Sequence, residues 1–116
     1  MTALILDREL VAEIRRIETV TGRQDLFSGF VRRLEASLAD FRVAFSGCVA
    51  RGDGSGAARA AHTLKGSCSQ LGAQALGELF ADIERSARAG DYAEAQRTFD
   101  AAADLIANSL DALKRA

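Results

Sequence analysis

The chain has 116 residues, about one domain's worth, and its 48% apolar and 27% charged residues are the composition of a globular protein. Fifteen basic residues against sixteen acidic ones leave a net charge of −1, so no global basic field exists to hold nucleic acid or an anionic membrane. No apolar run approaches the roughly 18 residues of a membrane span, and Ala3-Leu4-Ile5-Leu6 is too short, with no basic residue before it, for a signal peptide. Two cysteines, Cys48 and Cys68, form neither a C-x-x-C pair nor a disulfide framework. A reduced, cytoplasmic protein is the expectation.

Proline is absent where a chain of this length carries about six. Aromatic residues are 6% and tryptophan is missing, while Ala, Leu, Arg and Glu abound. These residues lose little rotamer freedom in a helix, and sheets want β-branched and aromatic side chains instead. The fold class predicted is all-α.

A first helix starts at Asp7, whose carboxylate caps the first turn while Leu6 packs on Val11 as a hydrophobic staple. Leu10, Val11, Ile14 and Ile17 follow at helical spacing. A second, longer helix is expected after Thr19–Gly22, with Thr21 and Gln24 as a T-x-x-Q capping box. Its stripe is Phe27, Phe30, Val31, Leu34, Leu38, Phe41, Phe45 and Val49. Arg51 to Gly56 reads as a loop, with Asp53 or Ser55 capping the next helix. That glycine-rich stretch lacks the G-x-x-x-x-G-K-[ST] pattern and follows no strand, so it reads as a turn rather than a phosphate cradle.

The third helix runs from about Ala57 to Leu71 and stops at Gly72, which suits a left-handed cap. A fourth covers Ala73 to Ala89, with Leu76, Leu79, Phe80 and Ile83 on one side. Asp91 and Glu94 open a fifth, whose stripe continues through Tyr92, Ala95, Phe99, Ala102, Ile106, Leu110 and Leu113. One short helix and four longer ones joined by short turns predict a single domain over residues 1–116, with its core in 7–113. Its expected form is an antiparallel, up-and-down four-helix bundle with a short extra N-terminal helix.

The sole histidine, His62, falls in the third helix. At about 100° per residue, Ser69, Gly66, Arg59 and Lys65 all lie within about 60° of it. Leu64, Leu71, Ala57, Ala60 and Ser67 lie on the opposite side, with Cys68 at that side's edge. His62 therefore belongs to the surface, and Cys68 reads as a buried thiol. From Gly54 to Gly77 there are two cations, Arg59 and Lys65, and no carboxylate. A nucleophilic imidazole that takes up a phosphoryl group needs this setting. It must be accessible and unprotonated, with an ammonium to stabilise charge on the transferring oxygens. Gly66, costly in a helix interior, is explained by close approach of another protein. A metal site in a helical bundle wants several His and Glu ligands, and no nucleophile–base–orienter pattern for hydrolysis appears.

The segment Ala61-His62-Thr63-Leu64-Lys65-Gly66-Ser67, followed by Leu71-Gly72-Ala73, resembles the signature of the histidine-containing phosphotransfer (HPt) domain family. The resemblance extends over about Asp7 to Leu113, with the specific motif confined to Ala61–Ala73. It implies a four-helix bundle that relays a phosphoryl group between aspartates of response-regulator receiver domains in multistep two-component signalling. Carried onto this chain, His62 is the implied phospho-acceptor, Lys65 the electrostatic stabiliser, and Gly66 the clearance for the docking receiver, with Arg59 and Ser69 beside it. Ser67 is the implied small packing residue. The family often has a Gln or Glu on the following helix near the histidine, and Glu84 matches by spacing, which would place it with Arg59, Gly66 and Ser69 on the partner-docking surface.

The resemblance also implies a phosphocarrier rather than an enzyme, with no cofactor of its own and Mg²⁺ held by the receiver. The expected partners are receiver domains, with a hybrid sensor histidine kinase as a further candidate, and the expected state is a monomer. Two alternatives stand beside this reading. One is a docking or inhibitory module that binds a receiver or kinase without carrying phosphate, against which the presence of His62 argues. The other is the dimerising histidine helix of a sensor kinase, against which Thr63 after the histidine and the lack of proline argue.

Overall fold

The computed structural model describes residues 5–116. Ala3 and Leu4 of the N-terminal apolar segment lie outside the described residues. Among the described residues the regular structure is all helix: α1 (Arg8–Thr21), α2 (Leu26–Arg51), α3 (Gly54–Gln70), α4 (Gln74–Arg88), α5 (Tyr92–Asp100) and α6 (Ala103–Arg115). No helix is long and apolar enough to cross a membrane among these residues. At about 1.5 Å per residue the 26 residues of α2 span about 39 Å, most of the molecule's 47 Å length.

Local sequence sets most of the helix ends. Asp7 caps α1 by accepting from the backbone N–H groups of Glu9 and Leu10, and the stapling pair Leu6 and Val11 are both buried. Asp53 caps α3 through the N–H of Gly56, and Asp91 caps α5 through Glu94. The turns after α1 and α2 use glycines with positive φ, Gly22 and Gly52.

The expected T-x-x-Q box is not formed. Thr21 is the last residue of α1, and its hydroxyl donates to the carbonyl of Ile17 at 2.7 Å. The start of α2 is satisfied instead by buried Glu18, whose carboxylate accepts from the N–H of Phe27 at 2.8 Å. Glu18, not Ile17, thus joins Val11 and Ile14 on the inner face of α1, while Ile17 is 43% exposed. The Arg15 guanidinium pairs with Glu18 and lies over the Phe27 ring. Hydrogen bonds from Arg15 and from Phe27 hold the Glu18 carboxyl below its usual range.

The loop between α2 and α3 is shorter than expected. Arg51 still belongs to α2, and Gly54 already opens α3. Close packing explains the glycines there: a Cβ on Gly54 meets the Tyr92 ring, and one on Gly56 meets Asp53 and Cys48. The fifth predicted helix is two, because the chain turns at Ala101 and Ala102 between α5 and α6.

α3 packs most extensively on α4 and next on α2, and α5 packs on α4. α6 touches both α2 and α4, and α1 lies against α2. Between them Phe41 stacks on Phe45 and meets Phe80 and Phe99 edge-on, with ring centroids 5.0–5.1 Å apart. Aromatic pairs in such geometry contribute about 0.5–1.5 kcal/mol each beyond area burial. The inner side of α3 supplies Ala57, Ala58, Ala61, Leu64 and Cys68. All but Leu64 are small, and His62 is left on the outside.

Candidate functional site

The His62 side chain is 62% exposed. Its orientation comes from the neighbouring helix. Glu84, about two turns past Gly77 along α4, presents its carboxylate to α3, where Oε2 lies 3.1 Å from His62 Nδ1. Oε1 of the same group lies 3.0 Å from Lys65 Nζ. One turn further along α4, Arg88 donates to Oε2 from Nη2 at 2.8 Å and from Nε at 3.1 Å. Three side chains from two helices, His62, Lys65 and Arg88, thus converge on a single carboxylate.

Glu84 is only 8% exposed. Burial by itself raises a carboxyl pKa, but the hydrogen bonds from Arg88 and Lys65, and the Lys65 charge, outweigh it and hold Glu84 down to about 2. The group is therefore an anion throughout the neutral range and serves only as a hydrogen-bond acceptor. Of the two neutral tautomers of the ring, an acceptor facing Nδ1 favours the one with its proton on Nδ1. The Nε2 lone pair is then the free one, on a ring open to solvent. Such an arrangement leaves Nε2 able to act as a nucleophile, with cations at hand for a developing anionic charge.

The other sequence-derived positions fall around this cluster. Arg59, Gly66 and Ser69 are exposed along the same side of α3, and Lys65 is half-buried. A Cβ placed on Gly66 meets nothing within 4 Å, so no internal contact requires glycine there. The hydroxyls of Thr63, Ser67 and Ser69 donate to the carbonyls of Arg59, Thr63 and Lys65, one turn back. Each is satisfied within its own helix. Ser67 is half-buried on the side facing α2. Cys68 is fully buried, and burial pushes its thiol up to about 12. Among the described residues no group of three or more His, Cys, Asp and Glu side chains is placed to hold a metal ion.

Arg88 is the member of the cluster that sequence reasoning missed. Its signal was present as an i, i+4 pair with Glu84 on α4, the spacing that brings an acid and a base together on one helix. Only the packing of α4 on α3 makes that pair part of a histidine site.

Comparison with known proteins adds one finding. A family model described as "Hpt domain" matches residues 25–116, nearly the whole chain. No curated protein and no solved structure matches.

Proposed function

The chain belongs to the Hpt domain family, and on that premise we propose that His62 is its phospho-accepting residue. Hpt domains are phosphocarriers of two-component phosphorelays. In this reading α2, α3, α4 and the α5–α6 pair are the four members of an antiparallel bundle within a single domain. α1 is the extra N-terminal helix.

The observation that carries the assignment is the 3.1 Å contact between the buried Glu84 carboxylate and Nδ1 of an otherwise exposed imidazole. Nε2, which keeps its lone pair, attacks the phosphorus of a receiver's aspartyl phosphate. The N–P bond forms as the P–O bond of the mixed anhydride breaks, and the aspartate leaves as a carboxylate. Transfer onward to a second receiver is the same step reversed. Lys65, one turn from His62, meets the negative charge on the transferring oxygens. Arg88 keeps Glu84 ionised and in place. Glu84 acts through the ring as a positioning residue, and its burial leaves little of it for a partner to touch.

Gly66, with open space where a side chain would stand, gives the receiver clearance to approach. Arg59 adds a cation one turn before His62 and complements the acidic pocket around a receiver's aspartate, which aids encounter more than affinity. The Mg²⁺ of the reaction belongs to the receiver. The chain works as a cytoplasmic monomer.

The test is transfer of radiolabel from a panel of phosphorylated receiver domains. The expected label is acid-labile, base-stable and absent from His62→Gln. Receiver binding without any transfer would favour a docking module that carries no phosphate.

A further inference from the structure

Every Arg and Lys of α4, α5 and α6 lies within ion-pair distance of a carboxylate. The start of α2 is different. Arg23, Arg32 and Arg33 are exposed and line one open hollow of about 410 Å³. None of the three makes an ion pair among the described residues. Asp25 is the one carboxylate lining the hollow, and the next acid along α2, Glu35, is held by Lys114 at 2.8 Å. Three guanidiniums against one carboxylate leave the hollow cationic.

This placement works against the helix. A helix N-terminus is the positive end of its dipole, and cations near it are unfavourable. α4, α5 and α6 accordingly keep their cations in the last turn. α2 has no acidic residue in its first turn, and the Asp25 side chain makes no cap hydrogen bond. Long helical side chains lean toward the N-terminus, and Arg32 lies back over Gly29, where a Cβ would stand 3.8 Å from its Nη2. Like charges gathered there without an internal partner break a rule that the later helices keep, and such departures mark functional surfaces.

A second hollow, of about 300 Å³, joins the first at Arg33, between α2 and α3. Half-buried Phe30 lines it, with the Arg33 guanidinium 4.9 Å from the ring centroid. Ser37, Ser67 and Gln70 add polar groups. Ser67 lies about 140° around α3 from His62, so this surface faces away from the histidine. From Leu26 to Ser37 it runs about 17 Å along α2, the length of an extended segment of about five residues.

The chemistry of this surface selects its partner. Guanidinium forks match carboxylates, and Ser37, Ser67 and Gln70 offer hydrogen bonds to a peptide backbone. An extended polyanion fits less well. The net charge of −1 gives the molecule no field to draw in nucleic acid or an anionic membrane. The Phe30 ring, on which a base would stack, already carries the Arg33 guanidinium.

We propose that this surface binds an acidic segment of a partner protein, an extended run of Asp and Glu laid along α2 with its carboxylates on Arg23, Arg32 and Arg33. A partner held there leaves His62 uncovered, so tethering and phosphoryl exchange take place on different faces. The tether does not depend on His62 carrying phosphate.

Fluorescent hexaglutamate is the probe, and its anisotropy is followed as the full chain is added at low salt. Saturable binding is expected, weakened about tenfold in the double variant Arg32→Glu/Arg33→Glu and weakened also by added salt. Arg85→Ala, an exposed change on α4, is expected to leave it unchanged. Amide NMR shifts on titration should gather at residues 23–37 and 67–71. Arg32→Ala is expected to unfold in urea at a midpoint equal to or above that of wild type, since nothing inside the molecule uses that charge. No saturable binding, binding that the double variant keeps, shifts centred on His62, or a lower urea midpoint for Arg32→Ala would each overturn the proposal. So would tighter binding, through the same arginines, of a thymidylate oligonucleotide or of phosphatidylserine vesicles, which would assign the surface to nucleic acid or to a membrane.

Discussion

Replacing Glu84 by Gln keeps the shape of the side chain and removes the charge on which three neighbours converge. Each pH unit between a carboxyl's ordinary midpoint and its midpoint in the folded protein corresponds to about 1.4 kcal/mol. Lowering Glu84 from 4.5 to about 2 therefore sets a ceiling of about 3 kcal/mol. The Arg88 and His62 side chains are 63% and 62% exposed, and solvent screening there reduces the expected contribution to about 1–2 kcal/mol. Because the folded midpoint lies below the unfolded one, this stability is fully present above about pH 4.5 and is lost as pH falls toward 2.

Urea unfolding of wild type and Glu84→Gln at a series of pH values measures the difference directly. At pH 7 the variant is expected to be less stable by about 1–2 kcal/mol. The gap should narrow below pH 4 and close near pH 2. Equal stability at pH 7, or a gap that persists unchanged into acid, would refute the account of Glu84 as a buried anion held by its partners.

Other positions make separate predictions. Gly66→Ala is expected to raise stability by roughly 0.5–1 kcal/mol, as for glycine in any helix interior, while slowing transfer from receivers; a stability loss would show an internal packing role. Gly72→Ala should destabilise by at least about 1 kcal/mol in thermal or urea unfolding, because its positive φ and its contact with Asp7 both oppose a side chain. Cys68 should resist alkylation at pH 8 in the folded protein and react once the chain is unfolded; rapid native labelling would contradict its burial.

The sequence was most legible where a local pattern settles the structure. The Phe27 to Val49 stripe, the Asp7 cap and the stop at Gly72 each need only a few adjacent residues to be read. The capping box at Thr21–Gln24 failed because the group that actually satisfies the α2 start, Glu18, sits nine residues before Phe27, beyond any capping motif. The turn between α5 and α6 was invisible for another reason. Ala95, Phe99, Ala102, Ser109 and Leu113 are buried at steps that stay in helical phase, so the periodicity runs through the break. Within the site, the outward placement of His62, Lys65 and Gly66 followed from the spacing of one helix. The cluster around Glu84 depends on how α4 packs against α3, which the spacing within one helix does not reveal.

The central claim concerns one atom, and the most direct test locates the phosphoryl group on it. The protein, phosphorylated by its fastest receiver or by phosphoramidate, is examined by phosphorus–proton correlated NMR. The account predicts a single phosphohistidine at His62 bonded through Nε2, with Nδ1 still facing Glu84. A phosphoryl group on Nδ1, or on any residue other than His62, would contradict it.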